Sequence, residues 1–313
     1  MGRFLEKSIA VLMLSGIVMI FLFVLCLRVE NPYSEASHEI NLVNSMSKLD
    51  TITVPKIIII GGSGCGFGID SKALSEHYDM PVVNTGTHAG LGLKLQLDLF
   101  KKYISEDDIV IVVPEFSNFS KNYFCGGETA VRILSSLYPE GYRCCSVVQF
   151  LHLLTFAPKH FFNSLRFKSQ GNFPVPESPY SKKALNEYGD VTNFEVRNYQ
   201  QFNVDPVLKH YNPIVRKYLM EYFREVESSG ARMLLLPPSL ASSSFENSRS
   251  FINHLYEAYG RGPEPHFIAK PDRYALPDSL YFDTPYHLTY EGVKYRTALM
   301  IEDIDYAFLY NAK

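Results

Sequence analysis

A serine in a glycine-rich turn is the first residue whose surroundings suggest chemistry. Ser63 lies in Ile60-Gly61-Gly62-Ser63-Gly64-Cys65-Gly66-Phe67-Gly68, at the end of an apolar run. The nucleotide-binding patterns G-x-G-x-x-G and G-x-x-x-x-G-K-[ST] both fail here, because no register has the third glycine and no Gly-Lys follows. A serine on a tight bend after a strand can act as a nucleophile, and glycines beside it let backbone N–H groups reach a substrate oxygen. A purely structural glycine-rich turn is the alternative.

Three further segments place polar side chains after apolar runs or just before the last predicted helix. They are Val83-Asn84-Thr85-Gly86-Thr87-His88, Val113-Pro114-Glu115-Phe116-Ser117-Asn118 and Phe282-Asp283-Thr284-Pro285-Tyr286-His287. Each is weak alone, since Asn and Gly are ordinary turn residues. In an open parallel sheet, however, the carboxyl ends of all strands meet at one edge, where ligands bind. We therefore expect the chemically useful side chains to share that edge, namely Ser63, Asn84, Gly86, Asn118 and His287.

The elements that must position these residues are short apolar strands. The run Ile57-Ile58-Ile59-Ile60 predicts a strand buried on both faces, as in a parallel sheet. Further strands are predicted at 82–84, 108–113 and 232–236, and a fifth at Leu280-Tyr281-Phe282.

Apolar residues in the segments between the predicted strands recur with the period of a helix. Leu93, Leu97, Phe100 and Ile104 recur as in a helix, although the leucines at 93, 95, 97 and 99 also alternate as in a strand. Clearer helices are predicted at 214–226, around 251–259, and from Thr289 as N-cap to about Leu309. The alternation predicts an α/β fold, a three-layer sandwich with a mainly parallel five-stranded sheet. Residues from about 120 to 205 interrupt this alternation of strands and helices, which predicts an insertion or lid there.

The amino-terminal segment predicts a membrane anchor over residues 1–28. Ser8–Leu27 holds 20 residues without a charge, which as a helix spans roughly 30 Å, the thickness of a bilayer core. A buried core helix and a cleaved signal peptide are the alternatives, but the run is long for a signal peptide and no A-x-A site follows. Arg3 and Lys7 precede the span and Arg28 follows it, which favours a cytoplasmic amino terminus and an extracytoplasmic main domain. No second such run occurs, so a multi-pass transporter is excluded.

Domain organisation follows from the same patterns. The polar residues 29–54 predict a tether, and residues 55–313 predict one domain that carries the insertion.

Composition excludes some function classes. The 313 residues carry a net charge of −3, so nothing in the overall charge favours a nucleic-acid partner. No His, Cys or Asp cluster has metal-ligand spacing, and we expect neither a metal nor another cofactor. Five cysteines are too few for a disulfide scaffold. A bridge from Cys125 to Cys144 or Cys145 stays open if the domain lies outside the cytoplasm.

The order Gly-Gly-Ser, then Asn-x-Gly, then Asp and His near the carboxyl terminus resembles the SGNH (GDSL-like) hydrolases. The amino-terminal span and the phrase His287-Leu288-Thr289-Tyr290-Glu291-Gly292 resemble the membrane-tethered branch, with its DltD-like and exopolysaccharide O-acetyltransferase-like members. The resemblance implies a flavodoxin-like sheet over about residues 55–310. It also implies that Ser63 is the nucleophile, His287 the general base and Asp283 its partner. Gly86 would be an oxyanion donor beside the backbone N–H of Ser63, and Asn118 is the nearest candidate for a third donor. We predict that Asn84 contacts substrate, and His88 is either another substrate contact or an ordinary surface histidine.

The resemblance has three departures. Gly62 stands where many members have Asp, and Asp283 and His287 are four residues apart rather than three. No Gly-x-Asn-Asp follows the third strand, and Glu115 takes part of that space.

The implied function is a membrane-anchored serine esterase or O-acyltransferase. It would act on envelope or exported carbohydrate or on a lipid-linked acyl ester, beside a multi-pass membrane protein that supplies the acyl group. The alternative is a catalytically silent SGNH-like binding or assembly module.

Overall fold

The computed structural model describes residues 2–169, 177–203, 211–260 and 265–310. It is an α/β protein built on a four-stranded parallel sheet. The strands are β1 (Ile57–Gly61), β2 (Val82–Asn84), β3 (Ile109–Val113) and β4 (Arg232–Leu235), in the spatial order β2-β1-β3-β4. Ile58 of β1 pairs in register with Val83 on one side and Val110 on the other. Because all four strands run the same way, their carboxyl ends share one edge.

Thirteen α-helices lie among the described residues. Before β3 they are α1 (Gly2–Cys26), α2 (Pro32–Ala36), α3 (Asn41–Leu49), α4 (Ser63–Gly66), α5 (Ser71–Tyr78) and α6 (Leu93–Phe100). Between β3 and β4 they are α7 (Lys121–Phe124), α8 (Glu128–Leu137), α9 (Val147–Leu154), α10 (Ala157–Ser169) and α11 (Pro213–Ser228). After β4 come α12 (Ser242–Gly260) and α13 (Tyr290–Tyr310). A separate two-stranded parallel pair is formed by β5 (Leu240–Ala241) and β6 (Ala275–Leu276).

The four consecutive isoleucines divide between two apolar cores. Ile58 and Ile60 pack on the face covered by α3, α6, α8, α11 and α12, whereas Ile57 and Ile59 pack on the face covered by α5 and α13. Successive side chains of a strand point to opposite faces, so a strand with helices on both sides needs apolar residues throughout. The predicted three-layer arrangement and the first four strands are thereby confirmed.

The predicted fifth strand is wrong. Leu280-Tyr281-Phe282 contributes only an isolated antiparallel bridge between Tyr281 and Leu288. The backbone N–H of Phe282 donates to the carbonyl of His287 at 2.7 Å, so this apolar stretch closes a local loop rather than joining the sheet. A single parallel bridge between Leu235 and Phe267 instead extends the sheet beyond β4.

The predicted helices are confirmed, with changed bounds. Residues 93–100 are helical rather than extended, and the last two helices begin at Ser242 and Tyr290. Thr289 Oγ1 accepts the N–H of Gly292 at 3.3 Å, as expected of an N-cap.

Residues 29–54 are not an extended tether. They contain α2 and α3, whose buried side chains include Ser34, Leu42 and Met46. Asn41 Nδ2 lies within hydrogen-bond distance of three carbonyl oxygens, of Asn84 at 2.9 Å, Gly86 at 3.1 Å and Gly189 at 3.3 Å. The composition of residues 29–54 is like that of a linker, because the partners of its polar side chains lie far away in the sequence.

The insertion at about 120–205 contains the four helices α7 to α10, followed by short turns. Its residues 170–176 and 204–205 lie outside the described part of the chain. The thiols of all five cysteines are free, so Cys125 is not bridged to Cys144 or Cys145.

One helix of the described residues, Arg3–Cys26, is long and apolar enough to cross a membrane. Its side chains up to Leu22 are largely exposed, whereas Phe23, Val24 and Leu27 pack against the main core.

The Asn41 amide gives a test of the packed segment. Asn41→Ala leaves the Asn84, Gly86 and Gly189 carbonyls short of a donor, which should lower the free energy of unfolding by about 1–3 kcal/mol. Urea unfolding of the detergent-solubilised full chain measures this change. Asn44→Ala is the matched control, because Asn44 lies on the same helix and is exposed. Equal stability of the two variants would contradict the packed arrangement.

Candidate active site

The serine turn lies where β1 meets α4. Ser63 is the first residue of α4 and Gly62 precedes it in an extended conformation. The turn packs closely on the loop after β2, since a Cβ at Gly86 would lie only 2.5 Å from the nitrogen of Gly66. From α13, the buried Arg296 donates to the Gly64 carbonyl at 2.6 Å. The turn is therefore fixed from both sides.

Ser63, His287 and Asp283 form a hydrogen-bonded line. Ser63 Oγ lies 3.0 Å from His287 Nε2, and His287 Nδ1 lies 3.1 Å from Asp283 Oδ1. Within the intervening loop, Thr284 Oγ1 accepts the N–H groups of Tyr286 at 3.3 Å and His287 at 3.1 Å. This turn brings the side chains of Asp283 and His287 together although they are four residues apart in the sequence. The arrangement is that of a nucleophile, its base and the group that orients the base.

The imidazole of His287 is almost fully buried, at 7% exposure. Its ring stacks on Phe67, with centroids 4.1 Å apart and an interplanar angle of 13°. Burial lowers the pKa of His287 below its ordinary value, although the Asp283 carboxylate opposes the shift. His287 is therefore neutral at pH 7, as a general base for Ser63 must be.

Tyr180 is a site residue that the sequence patterns missed. Its hydroxyl donates to Asp283 Oδ2 and lies 3.1 Å from His287 Nδ1. Burial and the neighbouring Asp283 raise the pKa of Tyr180, so the hydroxyl keeps its proton. Burial alone would raise the pKa of Asp283, but the bonds from His287 and Tyr180 hold it below its usual value. No motif marks Tyr180, which belongs to the insertion.

Arg197 is a second missed residue, and it joins three loops around the site. Its guanidinium, 1% exposed, donates to the carbonyls of Val191 at 2.6 Å, of Phe67 and of Leu288. Burial lowers the pKa of Arg197 to about 10, which leaves it charged at neutral pH. The insertion is thereby attached to both the serine turn and the histidine loop.

The two predicted oxyanion donors, Gly86 and Asn118, are engaged within the protein. The N–H of Gly86 donates to Asn84 Oδ1 at 3.0 Å. Asn118 Nδ2 donates to the carbonyls of Ala89 at 3.3 Å and Tyr123 at 3.2 Å. In this conformation neither donor faces a substrate, because Asn-x-Gly closes its own turn and Asn118 closes the turn after β3. Their oxyanion role stays a prediction that requires these bonds to be exchanged.

The predicted substrate contacts, Asn84 and His88, differ in position. Asn84 is completely buried and donates to the Cys65 carbonyl at 3.1 Å and to Asp190 Oδ1 at 2.8 Å. It bonds the backbone of the serine turn. Because it is buried and does not line the cleft, it cannot contact a ligand there. His88 lines the cleft, and its Nδ1 accepts the N–H of Gly90 at 2.9 Å. Burial lowers the pKa of His88 to about 4, so the ring is neutral there.

A carboxylate lies beside Ser63. Glu115 Oε1 is 3.2 Å from the N–H of Gly64 and 3.5 Å from Ser63 Oγ. A Cβ at position 62 would come within 2.6 Å of the same oxygen, so Glu115 fills the space that a side chain at Gly62 would need. The N–H of Gly64 thus already binds a carboxylate oxygen.

These residues surround a cleft of about 560 Å³. Its walls are the serine turn, the His88–Gly90 segment, the Glu115–Ser117 segment and the 283–287 loop, with Tyr123 and Asn203 at the margin. Another cavity, of about 440 Å³, lies at the β4 edge and contains none of the site residues. Among the described residues no group of His, Cys, Asp or Glu could hold a metal ion.

Comparisons with protein-family models, with curated proteins and with solved structures give no match to this chain. The site therefore has to be interpreted from its geometry. A serine bonded to a buried neutral histidine, in an open cleft, is suited to attack an electrophilic carbonyl or phosphoryl centre.

The buried His287 gives a pH prediction for the nucleophile. The rate at which a fluorophosphonate labels Ser63 should fall as pH drops through the pKa of His287, with a midpoint below about 6.5, the ordinary histidine value. Tyr180→Phe removes a donor from Asp283, so the carboxylate should stabilise the imidazolium more and move the midpoint upward. Labelling rates from pH 4 to 8 measure both midpoints. Tyr199→Phe, at an exposed position, is the control, and an unmoved or lower midpoint in Tyr180→Phe would refute the assignment.

The Glu115 carboxylate gives a second prediction. Two unit charges 4 Å apart repel by about 4 kcal/mol at an effective dielectric constant near 20, so an ionised Glu115 should oppose a developing oxyanion. Glu115→Gln keeps the shape and removes the charge, and we expect roughly tenfold faster labelling of Ser63 at pH 7.5. The exposed Glu140→Gln is the control. Slower labelling of Glu115→Gln would instead assign the carboxylate a helping role.

Proposed function

We propose that this protein is a membrane-anchored SGNH-type serine enzyme that transfers or hydrolyses acyl esters. The observation that carries the proposal is the 3.0 Å contact between Ser63 Oγ and the neutral His287, whose other nitrogen faces Asp283. These side chains come from loops separated by more than 200 residues in the chain, and a structural glycine-rich turn would not require this alignment.

The topology supports the same proposal. The order β2-β1-β3-β4 corresponds to the first four strands of the flavodoxin-like order, and the bridge at Phe267 lies where a fifth strand would stand. Ser63 follows β1, at the carboxyl edge of the sheet. We infer a rudimentary five-stranded SGNH sheet from this arrangement.

The mechanism that the geometry supports has two steps. His287 Nε2 takes the Ser63 proton as Oγ attacks an ester carbonyl, and Asp283 stabilises the imidazolium that forms. The imidazolium returns the proton to the leaving alcohol as the tetrahedral intermediate collapses to an acyl-serine. Water or an acceptor hydroxyl then attacks the acyl-serine, with His287 again accepting the proton, to give a hydrolase or an O-acyltransferase.

The proposal also covers the class of substrate and the position of the domain at a membrane. An open cleft of about 560 Å³ suits a hydroxyl-rich acceptor larger than water. With α1 crossing a membrane and its amino terminus in the cytoplasm, the domain would meet envelope or exported carbohydrate, beside a membrane protein that presents the acyl group.

A catalytically silent binding module is the second candidate, and one observation favours it. Two of the predicted oxyanion donors, Gly86 and Asn118, donate within the protein instead. Loss of a single oxyanion donor costs about 10²–10³ in rate.

Serine-directed labelling separates the two candidates. A fluorophosphonate should label the wild-type chain and the Ser117→Ala variant, whose lost hydroxyl lines the same cleft. Ser63→Ala should lose labelling and hydrolysis of an activated acetyl ester by about 10³-fold or more, and His287→Ala should lose a comparable factor. Equal labelling of Ser63→Ala and wild type would overturn the nucleophile, and no labelling of a folded wild-type chain would favour the silent module.

A further inference from the structure

Two helices of the insertion expose apolar side chains to an unusual degree. On α9 these are Val147 at 76% exposure, Val148 at 79% and Leu151 at 48%, and on α10 they are Phe162 at 67% and Leu165 at 43%. We call these five side chains the α9–α10 apolar surface. Single exposed apolar residues are ordinary, but a group of them on consecutive helices marks a surface that meets a partner or a membrane.

The α9–α10 apolar surface adjoins the membrane-spanning helix. The end of α1 contacts both α9 and α10. Val24 and Leu27 of this end share a cleft of about 260 Å³ with Phe150 of α9, and His160 Nε2 on α10 lies 2.7 Å from the Val29 carbonyl oxygen. Because Val24 and Leu27 belong to the apolar run, α9 and α10 must lie at the level where α1 leaves the bilayer.

The charged side chains that α9 and α10 themselves carry are all cationic. Residues 141–169 contain no Asp or Glu, but they contain Arg143, Lys159, Arg166 and Lys168. Lys159 pairs with Glu128 of α8, whereas Arg166 and Lys168 lie exposed in the last turns of α10. Helices with aromatic and aliphatic residues on one side and cations beside them bind the interface of anionic bilayers.

We propose that α9 and α10 dock on an anionic lipid bilayer, with the α9–α10 apolar surface inserted among the headgroups on the side where α1 emerges. The occupant is lipid rather than protein, because α9 and α10 contact α1, whose exposed apolar side chains would face lipid, and because α10 carries the exposed cations Arg166 and Lys168. Together, α1, α9 and α10 hold the domain at a fixed height on the membrane.

The docking has a consequence that rests on the proposed function. Helix α8 contacts α10 on one side and the turn Ala89–Leu91 on the other, and Ala89 lines the Ser63 cleft. The cleft is thus separated from the docked surface by a single helix. A substrate presented close to the membrane surface, such as a lipid-linked acyl ester, suits this position.

The absence of tryptophan from the sequence provides a direct test. Phe162→Trp and Val148→Trp each introduce a single fluorophore into the full chain, reconstituted in nanodiscs of phosphatidylglycerol and phosphatidylcholine brominated near the headgroup end of the acyl chains. We expect bromine to quench both tryptophans by about half. The bilayer should shield both from aqueous acrylamide. Tyr295→Trp is the control, because this exposed position lies on α13, across the sheet from α1.

Two results would overturn the docking. Quenching by acrylamide but not by bromine would show that the surface lies in water, and protection from both quenchers would indicate that a second copy of the chain covers it.

Arg166→Glu combined with Lys168→Glu should reduce the bromine quenching of Phe162→Trp in the anionic nanodiscs, and an unchanged value would refute the role of charge. Circular dichroism and fluorophosphonate labelling of each variant confirm the fold. Labelling also keeps the two proposals separate, since loss of docking with normal labelling leaves the proposed function intact.

Discussion

The buried amide of Asn84 is the contact on which the rest of the site depends. Its Oδ1 accepts the Gly86 N–H, and its Nδ2 bonds the Cys65 carbonyl of the serine turn and the carboxylate of Asp190. Its own carbonyl accepts from Asn41. With its side chain and its backbone carbonyl, Asn84 therefore joins the end of β2, the serine turn, the insertion and the segment after α1. A buried polar network is favourable only when every member is satisfied, so these parts order together. Burial raises the pKa of Asp190 to about 6, even with these donors present.

The insertion completes the candidate site rather than merely covering it. Tyr180 supplies a donor to Asp283, and Arg197 supplies donors to the carbonyls of Phe67 and Leu288. A buried guanidinium is costly unless its N–H groups are satisfied. Here three backbone carbonyls accept from Nη1 and Nη2, whereas Nε has no partner among the described residues. The loops of Ser63 and His287 are thus held at hydrogen-bond distance by residues from a segment that has no strand of the main sheet.

The sequence could predict what depends on local pattern. The isoleucine run and the other short apolar runs predict four strands, and the parallel direction of those strands predicts that Ser63 and His287 meet. It could not predict what depends on distant partners. Polar residues 29–54 suggested a tether because nothing local shows that Asn41 meets Gly189. Leu280-Tyr281-Phe282 suggested a strand because a short apolar loop has the same composition. Tyr180 and the contact of Glu115 with Gly64 lie in no motif. Nothing in the sequence orients the Asn84 side chain, so the sequence does not show that the N–H of Gly86 is already bonded.

The packed segment after α1 changes how the chain could reach a substrate. A flexible linker of the length of residues 29–54 would let the domain search tens of ångströms from the bilayer. Helices α2 and α3 are instead fixed to the domain, and His160 bonds the Val29 carbonyl directly at the end of α1. With α1 in a membrane, as proposed, the fold would therefore set the height of the cleft above the bilayer. On the proposed function, an acceptor polymer would be modified only along the part that passes this height, and a membrane-bound acyl donor would need to deliver its group there. Under the same proposal, a fixed height would favour acyl transfer between two partners at the membrane over hydrolysis of a freely diffusing ester.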